Sequence, residues 1–231
     1  MGHLHLTVRD PDAQKAFWTA MGGVAVSNGR LQLIQFPGTF VMLRKGEPAG
    51  GTEGSVINHV GFKVKSLKDI QAKAQAAGAK TVPGSNPAQM FVYAPDDVKV
   101  EMTEDPALTV PIASHHIHYN VTVPLEMQAW YAKMFGAVPG KRGNFDAADL
   151  PGINLSFSKA PSALPGTKGR SLDHIGFEVK GLEAFLKKLE AAGVKLDSPY
   201  RQLPNSTTAI AFLTDPWGTY IELTENLAPA R

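Results

Sequence analysis

Apolar and polar residues alternate in short runs that recur along the chain, as in strands with one buried face. HLHLTV (His3 to Val8), NHVGFKV (from Asn58), HIHYNV (His116 to Val121) and DHIGFEV (from Asp173) share a further feature. Each places a histidine (His3, His59, His116, His174) five residues before a valine. A helical stretch follows each run. Leu182, Phe185, Leu186 and Leu189 fall on one face of a helix stopped at Gly193. Leu67, Ile70 and Ala74 do the same before Gly78. The first and third helices open with Pro11 and Pro124, favourable in a first turn, and end near Gly23 and Gly136. Behind the helices come β-rich runs: LQLIQF and TFVMLR, MFVYA and VKVEMTE, INLSFSK, TAIAFLT and TYIELTE. Each module thus reads strand, helix, three strands.

The modules are themselves duplicated. HLHLTV matches HIHYNV, NHVGFKVK matches DHIGFEVK, and PDDVKVEMTE matches PWGTYIELTE, in the same order and with slowly growing offsets. Two halves are therefore expected, at 1–108 (modules 1–53 and 54–107) and 113–226 (modules 113–168 and 169–226). The Pro/Gly-rich stretches KGEPAGGTEG, DPALTVP and APSALPGTKG read as linkers, and the residues past about 226 as a frayed tail. The fold class is α+β.

Composition narrows the chemistry. At 231 residues and 43% hydrophobic, the chain can bury substantial cores. A formal net charge of +2, with scattered Lys and Arg, argues against nucleic acid as a partner. The absence of cysteine excludes disulfides, zinc–thiolate sites and cysteine nucleophiles, so any metal must be held by imidazole and carboxylate. No apolar run is long enough for a membrane span. The chain opens on a strand pattern rather than a signal peptide, so the default expectation is a cytoplasmic protein. Nucleotide-binding glycine loops and the GxSxG nucleophile elbow are missing.

Two histidines and a glutamate stand at matching strand positions in each half: His3, His59 and Glu101 in the first, His116, His174 and Glu222 in the second. Such a set leaves coordination positions open for a substrate and suits Fe, Mn, Ni, Co or Zn as divalent ions. Only paired strands of neighbouring modules can assemble it. Module one can pair with module two, or with module four across the halves; the crossed case joins His3 to His174 and Glu222, and His116 to His59 and Glu101. His5 and His118 lie two residues past His3 and His116 and share their face, each as a general base or substrate ligand beside the metal. Their ordinary pKa of about 6.5 would suit that role near neutral pH. His115 and Tyr119 alternate to the opposite face.

These residues carry a family resemblance. Four βαβββ modules, the histidines of HxxxxV and HIGFEV, and the glutamate of DPWGTYIELTE resemble the vicinal-oxygen-chelate superfamily of glyoxalases, bleomycin resistance proteins and extradiol dioxygenases. The likeness spans nearly the whole chain, and DPWGTYIEL is its most specific piece. PDDVKVE departs from that pattern by lacking its aspartate and glycine, which alters a turn and not the ligand. The resemblance implies two tandem glyoxalase-like half-barrel domains with a metal in the cup. It also implies an enzyme acting on a small molecule with adjacent oxygens, as a glyoxalase-like lyase or isomerase or as an extradiol-dioxygenase-like enzyme, with Glu222 at the reacting centre. The alternative is a metal-free module that sequesters a small molecule such as an antibiotic. The expected partner is a small-molecule substrate, and the expected assembly a monomer or homodimer.

Overall fold

The computed structural model describes residues 2–28 and 31–227. The four modules are all present. The first is β1 (His3–Val8), α1 (Pro11–Ala20), β2 (Val24–Asn28), β3 (Leu31–Phe36) and β4 (Thr39–Lys45). The second is β5 (Ile57–Val64), α2 (Leu67–Ala76), β6 (Lys80–Pro83), β7 (Gln89–Ala94) and β8 (Val98–Glu104). The third is β9 (Ile112–Val121), α3 (Pro124–Phe135), β10 (Val138–Arg142), β11 (Phe145–Leu150) and β12 (Ile153–Lys159). The fourth is β13 (Leu172–Glu178), α4 (Leu182–Ala191), β14 (Leu196–Gln202), β15 (Ala209–Thr214) and β16 (Tyr220–Glu225).

Local chemistry accounts for these elements. The Asp10 side chain caps α1 by accepting from the backbone N–H groups of Asp12 and Ala13. Gly136, at φ 72°, ends α3 in the left-handed conformation. In α4 the buried residues are Leu182, Leu186 and Leu189, the face read from the sequence. Where the second half turns on Asp215 and Gly218, the first half turns on Asp96 and Asp97, both at positive φ without a glycine. That is the structural consequence of the PDDVKVE departure.

The sheets do not follow the sequence halves. One eight-stranded sheet runs β14-β15-β16-β13-β1-β4-β3-β2, joining modules one and four; the other runs β10-β11-β12-β9-β5-β8-β7-β6, joining modules two and three. Of the two module pairings that the sequence leaves open, the sheets adopt the crossed one. The reason is strand polarity and linker length. β8 lies parallel to β5, so it finishes beside Val64, the residue that Ile112 at the start of antiparallel β9 faces. Linker 105–111, shorter than 46–56 or 160–171, needs only to step across the end of β5, with Lys65 N–H bonding the Pro111 carbonyl. Modules one and four then pair through β1 and β13.

Helices and sheet backs share one apolar core. Trp18 on α1 bridges the sheets: it packs edge-on against Phe36 of β3 and tilted against Phe62 of β5, and donates from Nε1 to Gln14. Because Trp18 is fully buried, Trp18→Ala is expected to cost about 3–5 kcal/mol, read as a lowered urea midpoint with an unchanged slope. The chain end is better packed than the sequence suggests: Leu227 is buried against Leu33 and Met42. The rest of the expected tail, 228–231, lies outside the described residues.

Candidate metal centre

Each cup is built where two first strands meet antiparallel. In the first cup, His5 stands opposite His174, and His3 stands opposite Gly176. β16 runs parallel beside β13 and brings in Glu222. Its Oε2 lies 3.0 Å from His3 Nε2 and 2.9 Å from His174 Nε2. One ligand atom from each of His3, His5, His174 and Glu222 falls within 4.8 Å of the others. In the second cup, Glu101 Oε2 lies 3.0 Å from His59 Nε2 and 3.6 Å from His116 Nε2. His118 stacks on His59 at 4.6 Å between ring centres and reaches Ser158 Oγ at 2.6 Å. There the cluster whose ligand atoms meet within 4.8 Å is His59, His116 and His118.

Two glycines make room for the rings. A Cβ on Gly176 would sit 2.1 Å from His3 Nδ1, and one on Gly61 would sit 1.9 Å from His116 Cε1. The glycine of HVGF and HIGF is thus the floor on which the partner module's imidazole lies.

Bulges add residues that strict alternation hides. The β1–β13 register skips Asp173 between the pairs His5–His174 and Leu6–Leu172. The carboxylate of Asp173 consequently lies 2.7 Å from His174 Nδ1. The equivalent skip in β5 leaves Asn58 out, and its side-chain oxygen lies 2.8 Å from His59 Nδ1. A third skip, at His115, overturns its expected place on the opposite face: His115 Nδ1 lies 3.0 Å from His116 Nδ1. Tyr119 does point away, its hydroxyl 3.2 Å from that of Tyr131 on α3.

Electrostatics separates the cups. Burial alone would raise the pKa of Glu222, but hydrogen bonds from His174 and His3 hold it well below the usual carboxylate range. Glu101 is depressed in the same way by His116 and His59. Burial lowers His174, yet Asp173 and Glu222 on its two sides outweigh that and raise it. Burial lowers His59, and there the amide of Asn58 supplies no compensating charge. His5 falls to about 3, through burial and then the neighbouring His174 and His3, and His118 also falls to about 3. Both rings are neutral at pH 7 and weak bases, unlike the free imidazole assumed from sequence.

The second carboxylate oxygens differ as well. Glu101 Oε1 accepts from Gln89 Nε2 at 3.2 Å and Thr103 Oγ1 at 2.9 Å, and lies 3.8 Å from Arg142 Nη1. At the position matching Gln89 the first cup has Ile210, and Glu222 borders a cavity of about 270 Å³. Both ring nitrogens of His5 are buried there with no hydrogen-bond partner among the described residues. Asp173, Arg44 and the two ring-bearing glycines had no role in the sequence reading; the only trace was the DH/NH dipeptide and the G of HxGF.

Comparison with known proteins agrees with this architecture. Residues 113–223 match the model of the Glyoxalase/Bleomycin resistance protein/Dioxygenase superfamily. No curated protein sequence matches the chain. Glyoxalase I from Zea mays has the same fold, with TM-score 0.78 at 15% identity, covering 97% of this chain and 91% of that one. A putative dioxygenase from Bacillus subtilis subsp. subtilis str. 168 gives TM-score 0.75 at 13% identity, covering 98% and 85%. No helix among the described residues is long and apolar enough to cross a membrane.

Proposed function

We propose that the chain, whose residues 113–223 match the glyoxalase/bleomycin resistance protein/dioxygenase superfamily, is a member of it, and that its first cup is the divalent-metal centre of an enzyme acting on a small molecule with two adjacent oxygens. The observation that carries the proposal is the convergence of His3 and His174 on one oxygen of Glu222, beside a fourth donor, the His5 imidazole, that has no partner among the described residues. Buried polar atoms are ordinarily satisfied, so the orphaned imidazole of His5 fits a cup made for an occupant.

His3, His174 and Glu222 would hold the ion. Two imidazoles and one carboxylate are the facial set used by non-haem iron(II) oxygenases, which favours dioxygenation of a vicinal diol over isomerisation. A bound divalent ion would supply Lewis-acid polarisation of neighbouring substrate oxygens. The protein's own part is positioning. Asp173 accepts from His174 Nδ1–H, fixing the tautomer that leaves Nε2 free as a ligand. His5, neutral at pH 7, offers a hydrogen bond to a substrate oxygen rather than a stored proton. The second cup is the weaker site on this reading, since Asn58 stands where Asp173 does and Glu101 already spends its other oxygen on Gln89 and Thr103.

Asp173→Asn is expected to weaken metal affinity about ten- to a hundredfold, measured by chelator competition on protein prepared without chelators. Unchanged affinity would remove Asp173 from the site. Oxygen uptake with a catechol separates the dioxygenase from the isomerase reading, because an isomerase consumes none.

A further inference from the structure

We infer that the first cup is shaped for a planar aromatic substrate carrying a carboxylate, and that Arg201 reads that anion. The inference deepens the metal-centre proposal, on which it rests for the diol end of the molecule only. Three observations carry it.

The wall of the cavity is flat and aromatic. Phe212 of β15 faces Glu222 across the strand pair, and Phe212 stacks on Tyr220 at 5.2 Å with 21° between the rings. His174 meets both rings edge-on at 5.5 Å, so the aromatic pair begins where the ligand cluster ends. Met42 and Ile210 complete an apolar slot of about 270 Å³, the size of a single substituted ring rather than a long chain.

Arg201 lines the same slot. It sits on β14 opposite Ile210, and cross-strand partners share a face, so its side chain belongs to the cup side of the sheet. The charges around it are then decisive. Arg44, the other guanidinium lining the cavity, is already engaged: its Nη2 lies 3.3 Å from Asp173 Oδ2 and donates to Thr7 Oγ1 at 3.0 Å. Glu222 is held by His3 and His174. The Arg201 side chain, exposed at the rim, has no hydrogen bond or ion pair with any described residue. Lys168, over the Tyr220 ring at 4.3 Å, adds a second cation at the rim. A planar fork of donors beside an apolar slot matches a carboxylate bidentately.

Among the described residues the second cup lacks this arrangement. Ser158 and Lys99 occupy the positions matching Arg44 and Tyr220, and its guanidinium, Arg142, donates from Nε to Ser156 Oγ at 2.7 Å within the cup. The anion-reading geometry therefore belongs to one cup.

The test is calorimetric titration of the metal-loaded protein with 3,4-dihydroxybenzoate, catechol and benzoate. The acid is expected to bind about tenfold or more tightly than catechol, and in Arg201→Ala the ratio of the two affinities should fall to about one. Arg201→Lys should keep part of the preference, and Arg201→Glu should invert it. Benzoate has the ring and the anion without adjacent oxygens, so it probes Arg201 independently of any metal. Benzoate binding that Arg201→Ala abolishes, with no discrimination between diol and non-diol ligands, would uphold this inference while overturning the metal-centre reading. Equal affinities for 3,4-dihydroxybenzoate and catechol in the unaltered protein, or a preference that survives Arg201→Ala, would overturn the inference itself. So would failure of all three ligands to bind.

Discussion

Glu222→Ala is expected to empty the first cup of its metal and to lower turnover about a thousandfold or more. Glu222 is the one carboxylate on which His3 and His174 converge, at 3.0 and 2.9 Å. Removing it leaves two imidazoles without the anion that balances a divalent charge, and Lewis-acid stabilisation worth several kcal/mol goes with the ion. The companion variant is Glu101→Ala. Its carboxylate is tied to Gln89 and Thr103 as well as to histidine, so its loss should change the metal content far less. Metal analysis of both variants, with circular dichroism to show that each is folded, reads the difference. Equal losses from the two variants would show that the cups are equivalent.

Gly176→Ala should have the next largest effect, although Gly176 bears no side chain. Its added methyl would sit 2.1 Å from His3 Nδ1 and 2.2 Å from Cε1. His3 is fully buried, so the ring has no open space to retreat into, and overpacking of this kind costs about 1–3 kcal/mol. The displaced imidazole should release the first-cup metal. Gly61→Ala imposes the same insult on His116, with a contact of 1.9 Å to Cε1. It should lower the unfolding midpoint to a similar degree while leaving the first-cup metal in place. Stability and metal content measured on both variants thus separate a folding defect from a site defect. Metal retained by Gly176→Ala would remove His3 from the ligand set.

Much of this arrangement is legible in the sequence. The histidine-to-valine spacing located β1, β5, β9 and β13 because those strands bury one face, and burial enforces alternation. The edge strands β2, β6, β10 and β14 left no such pattern. β10 is almost wholly exposed and carries Pro139, which a sheet tolerates at its margin. The ring-bearing residues His3, His59, His116 and His174 were visible, but their partners were not, because pairing depends on the length of linker 105–111 against the polarity of β8 and β9. Bulges were invisible for a related reason. Alternation sends His115, Asp173 and Asn58 to the far face, and only one skipped residue in the register returns each to its histidine. The lowered pKa of His5 comes from burial among other imidazoles, which sequence spacing alone does not reveal.

The most direct test of the first cup as the metal centre is anomalous diffraction from crystals of protein purified without chelators, recorded at the absorption edge of the metal found by elemental analysis. The expected result is a strong peak within about 2.0–2.3 Å of His3 Nε2, His174 Nε2 and a Glu222 oxygen, with a weaker peak or none among His59, His116 and Glu101. A peak confined to the second cup, or bound metal that lies in neither, would contradict the account.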